Sequence, residues 1–265
     1  MKILSKTART FYGIGMAGIG IQQFIYSDFR PVILSPWPPW IHASAIWAYI
    51  TGAALVVAGF FIFLDKKARV ASLLVGGFLF VMFIVFQCSY TLFIQPNSPR
   101  HLGLWTDPLK ELALSGGAFV MAGLSKDETN ASHKNYLLMV LEKFIPFGRI
   151  FFSITMISFG VDHFFYTEFV AGLVPSWIPD HIFWTYFAAV ALIGSGVAII
   201  FKIKLKLVSL LAATMLFLWV IVLHIPRAIA DPYVGNGNEI TSVFEALAFS
   251  GIALGIAVMH KNKNK

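Results

Sequence analysis

Apolar residues in this chain come in runs close to 20 residues long, the helix length that crosses about 30 Å of hydrocarbon. Each run ends at a polar or Pro/Gly-rich break. Backbone polar groups inside a bilayer must be satisfied within their own segment, so such runs read as membrane-spanning helices. Eight are read, at roughly 9–28, 43–64, 70–94, 109–124, 149–168, 182–201, 207–229 and 241–259. With 58% apolar and 12% charged residues over 265 positions, a soluble domain could not hide that much surface. The expected fold is all-α and integral to the membrane. The basic start followed by an apolar stretch resembles a signal peptide. That stretch runs to Tyr26 with no small-x-small cleavage site, so a retained first helix is expected.

Cations near span ends are held on the cytoplasmic side. Sixteen of the twenty Lys and Arg lie at the N-terminus, in alternate loops or in the C-terminal tail; Arg30, Arg100, Lys110 and Arg227 lie on the other side. Both termini are therefore expected in the cytoplasm, and a bacterial inner membrane is the expected location. The net charge of +7 is mainly this topological signal plus attraction to anionic lipid heads. Without a soluble basic domain it does not point to nucleic acid, and the sequon at Asn130 falls in a cytoplasmic loop. The one cysteine, Cys88, lies inside a span and reads as a small buried hydrophobe. A Cys-x-x-Cys dithiol mechanism is excluded within this chain.

Sliding the chain along itself by 140 places lays Arg9–Met16 on Arg149–Met156 and Gly20–Phe29 on Gly160–Phe169. As the offset shrinks to 137 and then 135, Trp47 and Tyr49 meet Trp184 and Tyr186, and Leu112–Gly116 meets Leu247–Gly251. The chain reads as a tandem duplication of a four-helix unit. Residues 1–124 form the first unit, 125–148 a cytoplasmic linker and 149–265 the second. Four is even, so two tandem four-helix bundles of the same orientation are expected, related by an axis along the membrane normal. The linker holds an amphipathic piece at 136–147 suited to the interface, and few buried contacts are expected to cross it. Each unit follows its first span with a Pro/Trp segment carrying Trp37 and Trp40, or Trp177. These segments would cap the bundles, either as interfacial anchors or as a lid over a lipophilic pocket.

At these residues the chain resembles the DoxX-like superfamily of four-helix membrane proteins. The carrying features are a Gly-rich first span ending Gly20…Phe24-Ile25-Tyr26 or Gly160…Phe164-Phe165-Tyr166, the Pro/Trp loop, and a last span opening at Lys110-Glu111-Leu112. The resemblance covers both halves. It implies a membrane component of quinone-linked oxidoreduction, thiosulfate oxidation included, or of envelope redox or assembly systems, with other membrane or periplasmic redox subunits as partners. No catalytic signature carries over residue by residue.

Ionisable groups inside a bilayer are functional candidates because each costs several kcal/mol unless paired or wet. The second unit places Asp162, His163, His224, Arg227 and Glu245 at one depth near the outer side. The first unit has Gln22, Gln23, Gln87, Tyr90, Lys110 and Glu111 at corresponding places. His224 and Arg227 share a helix face, and with Glu245 they are expected to converge as a triad. Such a cluster is either a satisfied network holding three helices together or a proton-handling site for a quinone-type lipid. Haem or a metal is a weaker reading, since His163 and His224 occur once each without the paired arrangement of membrane cytochromes. Three functions follow: a redox component with a lipophilic ligand, a non-enzymatic scaffold or assembly factor, and a transporter. The transporter lacks helices broken at the midplane.

Overall fold

A computed structural model describes residues 2–34, 44–95, 101–126 and 135–259. The helices are α1 (Lys2–Tyr26), α2 (Ser44–Leu64), α3 (Ala68–Met82), α4 (Thr106–Leu124), α5 (Tyr136–Glu142), α6 (Gly148–Phe165), α7 (Thr167–Leu173), α8 (His181–Phe201), α9 (Leu205–Trp219), α10 (Ile225–Ala230) and α11 (Asn238–Met259). No strand occurs among the described residues. Two π-helical stretches, Phe83–Gln87 and Tyr90–Ile94, prolong α3, and one, Val220–His224, prolongs α9 into α10. Such wide turns locally shift helix register and recur at functional positions.

Six helical stretches are long and apolar enough to cross a membrane: Ala45–Leu64, Ala68–Ile94, Tyr136–Phe165, His181–Phe201, Leu205–Ala230 and Val234–Met259. The chain is an integral membrane protein. At the other two expected positions the chain forms the helices α1 and α4, which are less apolar. Arg9, Gln22 and Gln23 of α1 and Glu111 of α4 are buried inside the protein, where a polar side chain meets protein groups instead of lipid.

Helix α1 packs on α2 and α11, while α6 packs on α8 and α4; α3 lies against α4, α9 against α11, and α4 meets α11 at the centre. Each half therefore lends its first helix to the last helix of the other half. The packing is one interlocked assembly instead of two self-contained bundles, because the closest helix approaches fall between halves as well as within them. A Cβ on Gly13 would lie 2.6 Å from the Gly59 carbonyl oxygen, and one on Gly20 2.6 Å from that of Gly52, which joins α1 to α2. Gly160 and Gly196 meet the Ala189 and Ser153 carbonyls at 2.7 and 2.8 Å in the same sense, joining α6 to α8. Gly116 on Gly148 joins α4 to α6, and Gly251 on Ala8 joins α11 to α1. Small residues allow helix backbones to touch where the hydrophobic effect between helices is absent.

Side-chain hydrogen bonds recur in the same way. Ser115 Oγ donates to the Gly76 carbonyl at 2.8 Å, and Ser250 Oγ donates to that of Ala213 at 2.9 Å. Arg9 pairs with Asp65 at 2.8 Å beyond the end of α2, and Arg149 donates to the Ile199 and Ile200 carbonyls at the end of α8 at 2.6 and 2.8 Å. Phe24 stacks on Tyr49 as Phe164 stacks on Tyr186, at 5.6 and 5.5 Å. Trp47, Tyr49, Trp184 and Tyr186 are exposed, as suits an interfacial aromatic belt.

The linker differs from expectation. Arg69 Nε and Nη2 donate to Glu142 at 3.0 and 2.9 Å and Arg69 Nη1 to the Ala122 carbonyl at 3.0 Å. Leu138, Leu141, Phe144 and Ile145 close over Leu73, Phe119 and Ala122. The amphipathic piece found an apolar face on α3 and α4, so the chain from 136 to 148 is fastened to the bundle. Trp177 is exposed, and Trp37 and Trp40 lie outside the described residues.

The close approaches predict opposite outcomes for two substitutions. Gly13→Ala forces a methyl against the Gly59 carbonyl and should cost about 1–3 kcal/mol, as overpacking does. Gly194→Ala meets nothing within 4 Å and should be neutral or stabilising by up to about 1 kcal/mol through helix propensity. Thermal midpoints of the two variants in detergent check the pair.

A candidate polar site between the central helices

The polar side chains converge at the end of the bundle where α1 ends and α4 and α11 begin. Helix α4 starts with Thr106, whose Oγ1 donates to the Gly103 carbonyl at 2.7 Å, and Asp107 follows in the first turn, where the helix dipole favours an acid. Three residues on, Lys110 Nζ lies 3.4 Å from Asp107 and 3.0 Å from Glu245 Oε2 on α11. The Lys110 and Glu245 side chains are 16% and 6% exposed, so their pair is shielded from water and weakly screened.

Arg30 extends this cluster. The segment after α1 folds back over the bundle end, with Phe29, Val32, Ile33 and Leu34 buried and the Ile33 and Leu34 amides donating to the Arg30 carbonyl. This places the 1%-exposed Arg30 with Nε donating to Thr241 Oγ1 at 3.1 Å and its guanidinium carbon 4.7 Å above the Tyr26 ring centre. Thr241 is one turn before Glu245, so the guanidinium and the carboxylate interact electrostatically. Burial pushes the Arg30 guanidinium below its ordinary value, while Tyr26, Asp28 and Glu245 push it back up. Gln22 Nε2 donates to the Gly237 carbonyl at 3.2 Å and Gln87 Nε2 to that of Pro31 at 2.8 Å, tying α11 and α3 to the same end. Thr51 Oγ1 donates to Gln23 Oε1 at 2.8 Å.

The expected triad of His224, Arg227 and Glu245 is replaced by other pairings. Arg227 binds Glu239 through two hydrogen bonds of 2.9 and 2.5 Å, and Glu245 takes Lys110 from the first half. The reason is chain geometry. Glu239 opens α11 beside α10, whereas Glu245 is nearly two turns deeper, where α11 faces α4. His224 closes the π-helical stretch and feels the charges of Lys110, Glu239 and Arg227. His163 Nδ1 donates to the Phe159 carbonyl of its own helix at 2.6 Å, and the ring stacks on Trp219 at 6.5 Å. Asp162 is buried, with Oδ1 unpartnered, and His101 acts on it electrostatically. Tyr90 is half-buried in the second π-helical stretch of α3. Glu111 is fully buried with neither carboxyl oxygen bonded.

The two layers that the sequence separates by unit are thus one layer, stitched by Lys110 and Glu245. Sequence reasoning missed Arg30, Asp107, His101 and Glu239. Arg30 and Glu239 carried a signal: each is a charged residue at a span end, within two turns of residues already singled out. Among the described residues no three His, Cys, Asp or Glu stand together so as to hold a metal ion.

The buried pair predicts non-additive mutations. Lys110→Met or Glu245→Leu strands its partner's charge and should destabilise by about 3–5 kcal/mol, while the K110M/E245L double variant removes both charges and should recover most of that loss. Unfolding of the four proteins in detergent gives the coupling energy directly.

No curated protein and no solved structure matches this chain. The family model described as DoxX matches residues 144–225, from the end of the linker through α6, α7, α8, α9 and the π-helical stretch that carries His224. Over that segment, which carries helices long and apolar enough to span a bilayer, this membrane protein is similar to the DoxX family.

Proposed function

We propose that this chain is the membrane component of a quinone-linked redox or envelope system, built as a duplicated four-helix unit that crosses the bilayer eight times with both termini in the cytoplasm. The duplication is supported by matched element bounds. Ser44–Leu64 and Ala68–Met82 recur 137 places on as His181–Phe201 and Leu205–Trp219. The glycine contacts, serine hydrogen bonds and aromatic stacks described above recur at the same offsets. Lys110 and Glu245 are themselves equivalent positions, 135 apart, so they meet where an axis relating the halves would pass. A single repeated residue there would face its own copy, and like charges would repel. Opposite charges at the two equivalent positions turn that contact into a bond that fixes how the halves meet. The cation distribution supports eight crossings, α1 and α4 being crossed from inside the bundle.

The observation that carries the ligand reading is a cavity of 190 Å³ between α1 and α11, lined by Gly18, Ile21, Gln22, Ile25, Tyr26, Ile240 and Phe244. Its walls are apolar, and Gln22 sits in them with Nε2 engaged and Oε1 unpartnered. An apolar groove with one free acceptor suits a lipophilic ring bearing a hydroxyl, as in a reduced quinone. Arg30, stacked on Tyr26 of the same groove, and the Glu245–Lys110 pair behind it supply charge that can stabilise an oxygen or accept a proton. A scaffold or assembly role is the second reading, favoured by the full pairing of Lys110 and Glu245. In that case the polar layer only fixes the helices.

Mass spectrometry of lipids extracted from the purified protein separates the two readings. An isoprenoid quinone should be retained by the natural protein and depleted severalfold in Ile240→Trp, which fills the groove from the lipid side. Absence of quinone in the natural protein, or equal quinone in both, would leave the scaffold reading.

A further inference from the structure

Glu111 is one of the least accessible acids in the molecule and takes no part in the Arg30–Glu245–Lys110 cluster. It lies on α4 with 0% exposure, and both carboxyl oxygens lack a hydrogen-bond partner. Its neighbour Lys110 is committed to Asp107 and Glu245. The groups that influence Glu111 electrostatically are Asp107, one turn earlier on its own helix, and Cys88 on the prolonged α3 opposite. Glu245, on α11, is held by Lys110, and Arg30 is bonded to Thr241 and stacked on Tyr26. Among the described residues no cation pairs with Glu111. Removing an unpaired carboxylate from water costs far more than removing a carboxylic acid, so the neutral form is the favoured one at this place.

A merely structural acid would still use its oxygens. A buried polar group without a partner is uncommon in folded proteins and requires a reason. Here the facing wall is also unusual. Cys88 sits between the π-helical stretches Phe83–Gln87 and Tyr90–Ile94, so the α3 backbone opposite Glu111 departs twice from the regular helical ladder. Asp107, whose side chain is 39% exposed, stands one turn from Glu111 towards the end of the bundle and offers a link to water.

We infer that Glu111 is a reversible proton-binding site: a carboxylic acid kept neutral inside the membrane, filled and emptied through Asp107. In loading, Asp107 takes a proton from water and passes it to the Glu111 carboxylate. Unloading reverses the transfer, and no electrons move. This site lies between α3 and α4, apart from the α1–α11 groove, and it stands whether or not that groove holds a quinone.

Infrared spectroscopy of the full-length protein in lipid bilayers tests the assignment. The natural protein at neutral pH should show the carbonyl stretch of a protonated carboxyl, sensitive to deuterium. Glu111→Gln should abolish that band while Glu245→Gln leaves it in place, and Asp107→Asn should slow its deuterium shift. A band that survives Glu111→Gln overturns the proposal. If that variant does not fold, the natural protein decides. Absence of the band at neutral pH overturns the proposal. A band accompanied by a dicyclohexylcarbodiimide adduct mapped to Glu111 by peptide mass spectrometry supports it, and a band with the adduct confined to other acids overturns it.

Discussion

The ion pair between Lys110 and Glu245 is the contact on which this architecture turns. It joins α4 and α11, the two central helices, with both side chains largely shielded from water. A buried pair adds little net stability over an apolar pair of the same shape, but breaking one side of it is expensive. Its effect is therefore on specificity. Helices that slide or rotate relative to each other lose the bond and strand two charges, so one register of α4 against α11 is selected. Asp107 attaches to the Lys110 end of the pair, while Arg30, held by Thr241 and Tyr26, acts electrostatically on the Glu245 end. The end of the bundle is thereby organised around a single chain of charges.

Around that centre the remaining helices are held by contact, since lipid tails compete equally for apolar side chains. Backbone approaches at Gly13, Gly20, Gly116, Gly160, Gly196 and Gly251 bring helices together closely enough for dispersion to act over long stretches. The serine hydrogen bonds of Ser115 and Ser250 add directional contacts at two of these interfaces. The large apolar side chains displaced from such tight contacts point outward. Phe60, Phe63, Val190 and Leu211 are exposed on the surface that faces hydrocarbon. Such exposure would mean aggregation in water; in a membrane it is the solvated state.

Function, on the reading proposed here, follows from where this plan leaves polar groups incompletely satisfied. Most of the layer is paired, and among the exceptions, which include the donors Gln23 Nε2 and Arg30 Nη2, three acceptors are informative: Gln22 Oε1 at the α1–α11 groove, Glu111 between α3 and α4, and Asp162 on α6. Each places an acceptor or an acid next to apolar walls. A lipophilic molecule with a polar head could engage the first, and protons could occupy the second. The DoxX match ends at 225, so it includes Asp162, His163 and His224 but neither Glu245 nor the first half. The Lys110–Glu245 pair is thus a property of the whole chain that the matched segment does not contain.

The amino-acid sequence by itself determined that the chain is a helical membrane protein, where most helices lie, and which polar residues sit near one end, because hydrocarbon thickness and the cost of buried charge act locally on every run. It also carried the recurrence of Gly, Trp and Tyr that led to the α1–α2 and α6–α8 contacts. Which charge meets which was decided by tertiary structure alone. Arg227 chose Glu239 over Glu245, and Glu245 chose Lys110 from the other half, because helix order in space brought α11 against α4 instead of leaving each half closed on itself. The burial of Arg30 was equally invisible, since nothing in Asp28-Phe29-Arg30-Pro31 says that the segment folds inward. Spacing along one helix fixes which side chains share a face, whereas pairing across helices depends on the crossing of backbones, and that is set by glycine contacts far away in sequence.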